Sequence, residues 1–276
     1  MNFEDIRYNI VAGSFYPGNA DTLKKQITEF LSKAEDKKIK DIKALICPHA
    51  GYIYSGQVAA YSYRQIEGKK FDSIFIIAPS HSEHFEFNSV YCGKAYQTPL
   101  GLVQVDVERC TMLTDSGMPN TKSSKYGHRS EHSLEVQLPF LQLVLDDFKI
   151  VPIVMGYQSK PNIEALGNAI GNLFKNENIL IIASTDLSHY HPYNIAVSLD
   201  KKVEDSVKKF DADSFEEEFL EDSIEMCGGG PVISAMIASK ILGANSSEIL
   251  CYKNSGDVSG DRSAVVGYLS AAFYKK

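Results

Sequence analysis

Several large protein classes are excluded by what this 276-residue sequence lacks. No apolar run approaches the ~20 residues needed to cross a bilayer; stretches such as Ile74 to Pro79 and Ile179 to Ala183 stop far short. Basic charge is in deficit, with 28 Lys and Arg against 35 Asp and Glu and a formal net charge of -7. That balance argues against a sequence-independent grip on nucleic acid or an anionic membrane, and short basic runs such as Lys37-Lys38 read as solvated surface. Met1 to Arg7 carries acids where a signal peptide would carry a basic segment and then an apolar one, so no export signal is expected. Cysteine is sparse: five residues, an odd number at irregular spacing and without a CxxC pair. That usage fits a reduced compartment better than a disulfide framework, and the cytoplasm is the expected location. A glycine-rich phosphate loop, a Rossmann fingerprint and a nucleophile-elbow serine are also missing, which removes nucleotide-driven and ordinary serine-hydrolase chemistry.

What is present is an average globular composition, 44% hydrophobic and 23% charged, enough to bury a core without disulfides. Without a linker, low-complexity segment or repeat to mark a boundary, residues 1–276 are read as one domain. Gly13 to Gly18 is turn chemistry, followed by Asn19 or Asp21 as a helix cap and a helix patterned on Leu23, Ile27, Phe30 and Leu31. Ile42 to Cys47 reads as a buried strand, Gln57 to Ile66 as a helix and Phe71 to Ala78 as a second strand. Ser89 to Ala95 and Leu102 to Val107, flanking Thr98 to Gly101, suggest an antiparallel excursion. Helices are then expected over Glu131 to Leu145, Ala196 to Phe210 and Pro231 to Leu242, and strands over Ile150 to Val154, Ile179 to Ala183, near Leu250 and over Val265 to Ala271. Such alternation implies an α/β fold, a mostly parallel or mixed central sheet with helices on both faces. Ligands of such sheets bind outside the carboxyl ends of the strands.

Three of the expected strands run into a histidine: Ile42 to Cys47 into Pro48-His49, Phe71 to Ala78 into Pro79-Ser80-His81, and Ile179 to Ala183 into Ser184 to His189. If these strands are parallel neighbours, the imidazoles converge on one cleft. Histidine is the commonest metal ligand and the usual proton carrier near neutral pH. Any one of them alone reads as a hydrogen-bonded loop residue; the coincidence of three points to a site. Cys227, in Met226-Cys227-Gly228-Gly229-Gly230-Pro231, introduces a helix, where a thiol is expected to have a lowered pKa and to serve as ligand or nucleophile. Cys47, Cys92, Cys110 and Cys251 lie in or near apolar runs and read as inert small hydrophobes. Of the remaining histidines, His84, His128, His132 and His191, His132 stands out because Glu131 and Glu135 beside it can orient a ligand imidazole through its other nitrogen.

The segments Pro48-His49-Ala50-Gly51-Tyr52, Pro79-Ser80-His81, Glu131-His132-Ser133-Leu134-Glu135, Ser184 to His189, Cys227-Gly228 and Ser259-Gly260-Asp261-Arg262-Ser263 resemble the MEMO family, in the family's order and over nearly the whole chain. That family is similar in fold to the LigB-type class III extradiol dioxygenases, which use non-haem iron. Its prokaryotic members are called AmmeMemoRadiSam system protein B, implying radical-SAM and AMMECR-type proteins as partners. The resemblance makes His49, His81 and Cys227 ligands of one transition metal ion. It sets Asp186 and His189 beside them as acid/base or orienting groups, with Asp186 expected to hold the His189 tautomer. Gly229 stands where the animal members carry a basic or imidazole-bearing residue, so phosphopeptide capture through that side chain is not carried over.

Two histidines and a thiolate differ from the two-histidine, one-carboxylate triad of ordinary non-haem iron oxygenases. Iron is the first expectation, and the softer sulfur also suits copper or zinc. Three functions fit: a metal-dependent redox enzyme of the dioxygenase-like kind, a binding module that keeps the pocket for a small molecule, peptide or protein, and a metal-assisted hydrolase.

Overall fold

The computed structural model describes residues 6–276; Met1 to Asp5, on which the absence of an export signal was read, lie outside the described residues. In chain order, β1 (Ile6–Arg7) precedes α1 (Ala20–Lys33), β2 (Ile42–Cys47), α2 (Tyr52–Arg64) and β3 (Ser73–Pro79). Short strands β4 (Asn88–Val90), β5 (Ala95–Thr98) and β6 (Gly101–Gln104) lead to α3 (Val107–Asp115), β7 (Thr121–Ser123), α4 (Leu138–Val144) and β8 (Ile150–Met155). There follow α5 (Lys160–Leu173), β9 (Ile179–Ser184), β10 (His189–His191), α6 (Tyr193–Lys209), α7 (Ala212–Leu220) and α8 (Gly229–Ile241). The last elements are β11 (Ser246–Asn254), α9 (Gly256–Ser259) and β12 (Val265–Tyr274).

Nine strands form one mixed sheet in the order β10-β12-β2-β9-β3-β8-β4-β7, with β11 paired to β12. Its centre, β2-β9-β3-β8, is parallel, and every residue of β3, β8 and β9 is buried. Unbroken Ile, Val, Leu and Ala runs are what a strand covered on both faces requires. On one side α1, α2 and α4 pack together, and on the other α5, α7 and α8. The expected α/β architecture is therefore found, and it is mixed: β12 and β4 run antiparallel to their neighbours β2 and β8. No helix among the described residues is long and apolar enough to cross a membrane.

Asn19 is the cap of α1, its side chain accepting from the Thr22 backbone N–H at 3.0 Å. Other boundaries moved. The helix expected from Gln57 begins at Tyr52, directly after the histidine loop. The antiparallel pair is β5 with β6, joined to β1 in a separate three-stranded sheet, whereas Ser89 belongs to β4 of the main sheet. The segment expected to be helical from Glu131 is helical only from Glu135, first as a 3-10 turn and then as α4. The Glu131 side chain accepts the backbone N–H groups of His132 and Ser133, an alternative to the helix for that stretch.

Helices α3, α5 and α7 were not expected. The sequence of α5, KPNIEALGNAIGNL, is rich in Gly and Asn, which are poor helix formers. Packing decides it. A Cβ on Gly167 would meet Ser234 O at 2.8 Å, and one on Gly171 would meet Ile241 Cβ at 2.8 Å, so these glycines let α5 and α8 approach closely.

Candidate metal centre

Because β2, β9 and β3 are adjacent and parallel, their carboxyl ends deliver Pro48-His49, Ser184 to His189 and Pro79-Ser80-His81 to one edge. Cys227 reaches the same edge from the loop before α8. Gly228 fits there because a Cβ would meet Ser184 O at 2.3 Å, and its N–H donates to Thr185 Oγ1 at 2.9 Å. Gln158 clamps the turn, donating to Cys227 O at 2.7 Å and accepting from Gly230 N at 2.8 Å. One donor atom each from His49, His81 and Cys227 then lie within 4.8 Å of one another. His49 Nε2 is 3.2 Å from Cys227 Sγ.

The hydrogen bonds decide which imidazole nitrogens are available. Ser184 Oγ donates to Ser133 O at 2.7 Å and accepts from Gln137 Nε2 at 2.9 Å, so its remaining role toward His49 Nδ1, at 2.9 Å, is acceptor. His49 thus carries its proton on Nδ1 and presents an Nε2 lone pair toward Cys227. Burial holds its pKa well below the ordinary value, reinforced by His81, His132 and His189, so the ring is neutral as a ligand must be.

His81 is oriented by the same logic. Its Nδ1 lies 2.9 Å from Glu131 Oε1, and its backbone N–H donates to Glu131 Oε2 at 2.5 Å. Burial works against ionisation of Glu131, but the His81 ring, the His81 N–H and the Ser133 N–H hold its carboxyl at about 2. A carboxylate at Nδ1 leaves His81 Nε2 as the nitrogen open to a metal. His81, Glu131 and His132 form a second set of close donor atoms. With Glu131 engaged by four protein donors, this set reads as an orienting group. The His132 ring stands 4.8 Å from that of His81 and 5.5 Å from that of His49. Glu135 points away from the centre, bound to Arg7, Tyr16 and the backbone N–H groups of Ile10 and Val11.

The expectations for Cys227 and Asp186 need correction. Helix α8 starts at Gly229 with Gly228 as its cap, so Cys227 precedes the first turn. Burial and the neighbouring Asp186 carboxyl push its thiol up, not down. Asp186 Oδ1 accepts from the His49 N–H at 2.8 Å, and Oδ2 lies 3.8 Å from His49 Nε2. The carboxylate thus faces His49 instead of holding the His189 tautomer. Burial lifts it to about 7, against the hydrogen bonds from His49 and Ala50. The Asp186 N–H donates to Cys227 Sγ at 3.2 Å. His189, half-buried on β10, is steadied by Glu225, which accepts its backbone N–H at 2.9 Å and faces His191 Nε2 at 2.8 Å; burial lowers its pKa.

A family profile described as Memo-like protein matches residues 7–272. This chain belongs to the Memo family. Curated MEMO1 family proteins are similar over nearly their full lengths. One from Methanosarcina barkeri is 39% identical, covering 95% of this chain and 98% of that protein. One from Nitrosopumilus maritimus is 36% identical, covering 97% and 99%, and one from Aquifex aeolicus is 36% identical with the same coverage. The Memo resemblance carried by short segments thus extends over nearly the whole chain.

Ser184, Gln137, Gln158 and Glu225 escaped the sequence reading. Ser184 had a signal in its place at the end of a histidine-bearing strand. The other three act by long-range contact and had none. The departure at Gly229 has a packing reason, since a Cβ there would meet the Phe219 ring at 2.2 Å.

Proposed function

We propose that this Memo-family protein binds one transition-metal ion through His49 Nε2, His81 Nε2 and Cys227 Sγ and uses it in a redox reaction on a small electron-rich molecule. The observation that carries the reading is the convergence of two imidazole donors and one thiol within 4.8 Å at the carboxyl edge of the sheet. The donor set fits the group: each imidazole has its other nitrogen engaged by a protein acceptor, which is how metal-ligating histidines are oriented. His49 is buried, Cys227 half-buried and His81 exposed, so one side of the centre is reachable by an exogenous molecule. Iron is the first expectation, with copper(I) and zinc as competitors for a site that contains sulfur.

When bound, the ion supplies a Lewis acid and, as iron or copper, a redox couple. The protein supplies the rest. Glu131 and Ser184 hold the ligand rings. The Asp186 N–H stabilises the sulfur as thiolate. Asp186, which accepts the His49 N–H, keeps its second carboxyl oxygen 3.8 Å from His49 Nε2, where it can take up or give a proton. His189 is the acid/base group on the rim.

Metal analysis of protein purified without an affinity tag tests this reading. About one equivalent is expected in the wild type and background levels in His49→Ala and Cys227→Ala. His189→Ala should keep its metal and lose oxygen uptake with electron-rich substrates. Full metal retention in both ligand variants would sink the assignment.

A further inference from the structure

Cys92 and Cys110, read from the sequence as inert, are partners. Cys92 lies just past β4 and Cys110 in the first turns of α3, and each thiol shifts the titration of the other. Two further contacts place both sulfurs at the same strand end: Cys92 Sγ donates to Val90 O at 3.8 Å, and Cys110 Sγ donates to the next carbonyl, Tyr91 O, at 3.7 Å. Cys110 is fully buried, whereas Cys92 is half-buried and lines a cavity of about 250 Å³ with Tyr91, Gly93, Ser123, Ser124 and Lys125. One sulfur is therefore reachable and the other waits behind it. Because β4 runs antiparallel to β8, it leaves the sheet away from the edge that carries His49, His81 and Cys227.

We propose that Cys92 and Cys110 form an oxidisable dithiol that hydroperoxides close to a disulfide. The electrostatics agree with the division of roles. The neighbouring Cys110 thiol lowers the Cys92 thiol to about 7, against its burial, and Cys92 and burial push Cys110 up. Cys92, the sulfur that lines the cavity, is the attacking one, and buried Cys110 the resolving one. In the first step the Cys92 sulfur attacks a peroxide oxygen and the O–O bond breaks. The leaving oxygen takes up the thiol proton, giving water or an alcohol and a sulfenic acid on Cys92. In the second step the Cys110 sulfur attacks the Cys92 sulfur, the S–O bond breaks, and the hydroxyl departs as water with the Cys110 proton. Two thiols lose two electrons and two protons, and the hydroperoxide is the species reduced. The new bond ties α3 to the exit of β4.

The test is hydrogen peroxide treatment of the full-length, metal-bound protein, followed by tryptic mass mapping without reduction. Lys94 and Arg109 lie between the two cysteines, so trypsin puts them on separate peptides. The expected product is a cross-linked Cys92–Cys110 peptide pair lighter by two hydrogens and released by dithiothreitol. Cys92 should be consumed on the order of tenfold faster than buried Cys47, whose thiol burial pushes up to about 12. In Cys110→Ser, Cys92 should be trapped by dimedone as the sulfenic acid. The proposal is overturned if Cys92 stays a free thiol while the other cysteines are modified. It is equally overturned if Cys92 passes to sulfinic acid in the wild type with Cys110 still reduced. Both readouts in the wild type are independent of whether the variant folds.

Discussion

Glu131 and Glu135 are four residues apart and both buried, at 1% and 0% exposure, yet they face in different directions. Glu131 turns to the edge that carries His49, His81 and Cys227, where it accepts from His81 twice and from the His132 and Ser133 backbone. Glu135 turns to the N-terminal strap, where it pairs with Arg7 and accepts from Tyr16, Ile10 and Val11. Arg7 links the two regions by donating to the Glu131 carbonyl at 2.6 Å and the His128 carbonyl at 2.8 Å. A buried carboxylate must be satisfied by donors, and the nearest donors decide whether it orients a ligand or anchors a segment. Identical residue type, similar burial and adjacent sequence do not settle that choice.

The largest expected effect separates the two glutamates by stability. Glu135→Ala leaves the Arg7 guanidinium buried without its partner and should cost about 3–5 kcal/mol. Urea unfolding followed by circular dichroism measures it, while metal content stays at the wild-type level. A loss below about 1 kcal/mol would show that Arg7 finds another acceptor or water and that the anchor role is wrong.

A third carboxylate sharpens the contrast through pH. Asp186 is raised from 3.8 to about 7, so the unfolded chain gives up this proton first. In metal-free protein its contribution is most favourable below about pH 4 and is lost as pH rises through about 7, roughly 4 kcal/mol across the window. Glu131 slopes the other way: held at about 2 instead of 4.5, its contribution is present above pH 4.5 and lost as pH falls toward 2. Thermal unfolding of chelator-treated protein against pH should show Asp186→Asn flattening the neutral limb and leaving the acid limb intact. An unchanged neutral limb in that variant would rule out Asp186 as its source.

The smallest effect belongs to Glu131 itself. Glu131→Gln keeps the shape and removes the charge that fixes the His81 ring, so metal affinity should fall about 10–100-fold. Competition with a chromophoric chelator reads this directly. Unaltered affinity would mean that His81 is held by packing alone, and the contrast with Glu135 would disappear.

Much of the fold was legible because covered parallel strands need unbroken apolar runs. Ile42 to Cys47, Ile150 to Val154 and Ile179 to Ala183 have no other good reading. The histidine positions followed from the same fact, since each stands just beyond such a run. Helix α5 was not legible, because its glycines matter only against Ile237 and Ile241 of a helix far along the chain. The nearness of Cys92 to Cys110 was hidden in the same way, by the seventeen residues of hairpin and helix start between them.

By itself, then, the sequence determined the α/β class, the three histidine-bearing strand ends and the Memo resemblance, because strand burial and short motifs are local properties. Tertiary structure alone decided which nitrogen of His49 is protonated, that Asp186 faces His49, that burial raises the Cys227 thiol, and that Glu131 and Glu135 serve different regions. Tautomers, pKa shifts and hydrogen-bond partners depend on which groups lie within a few ångströms. Distance in space is set by the order β2-β9-β3-β8, which no single segment of the chain encodes.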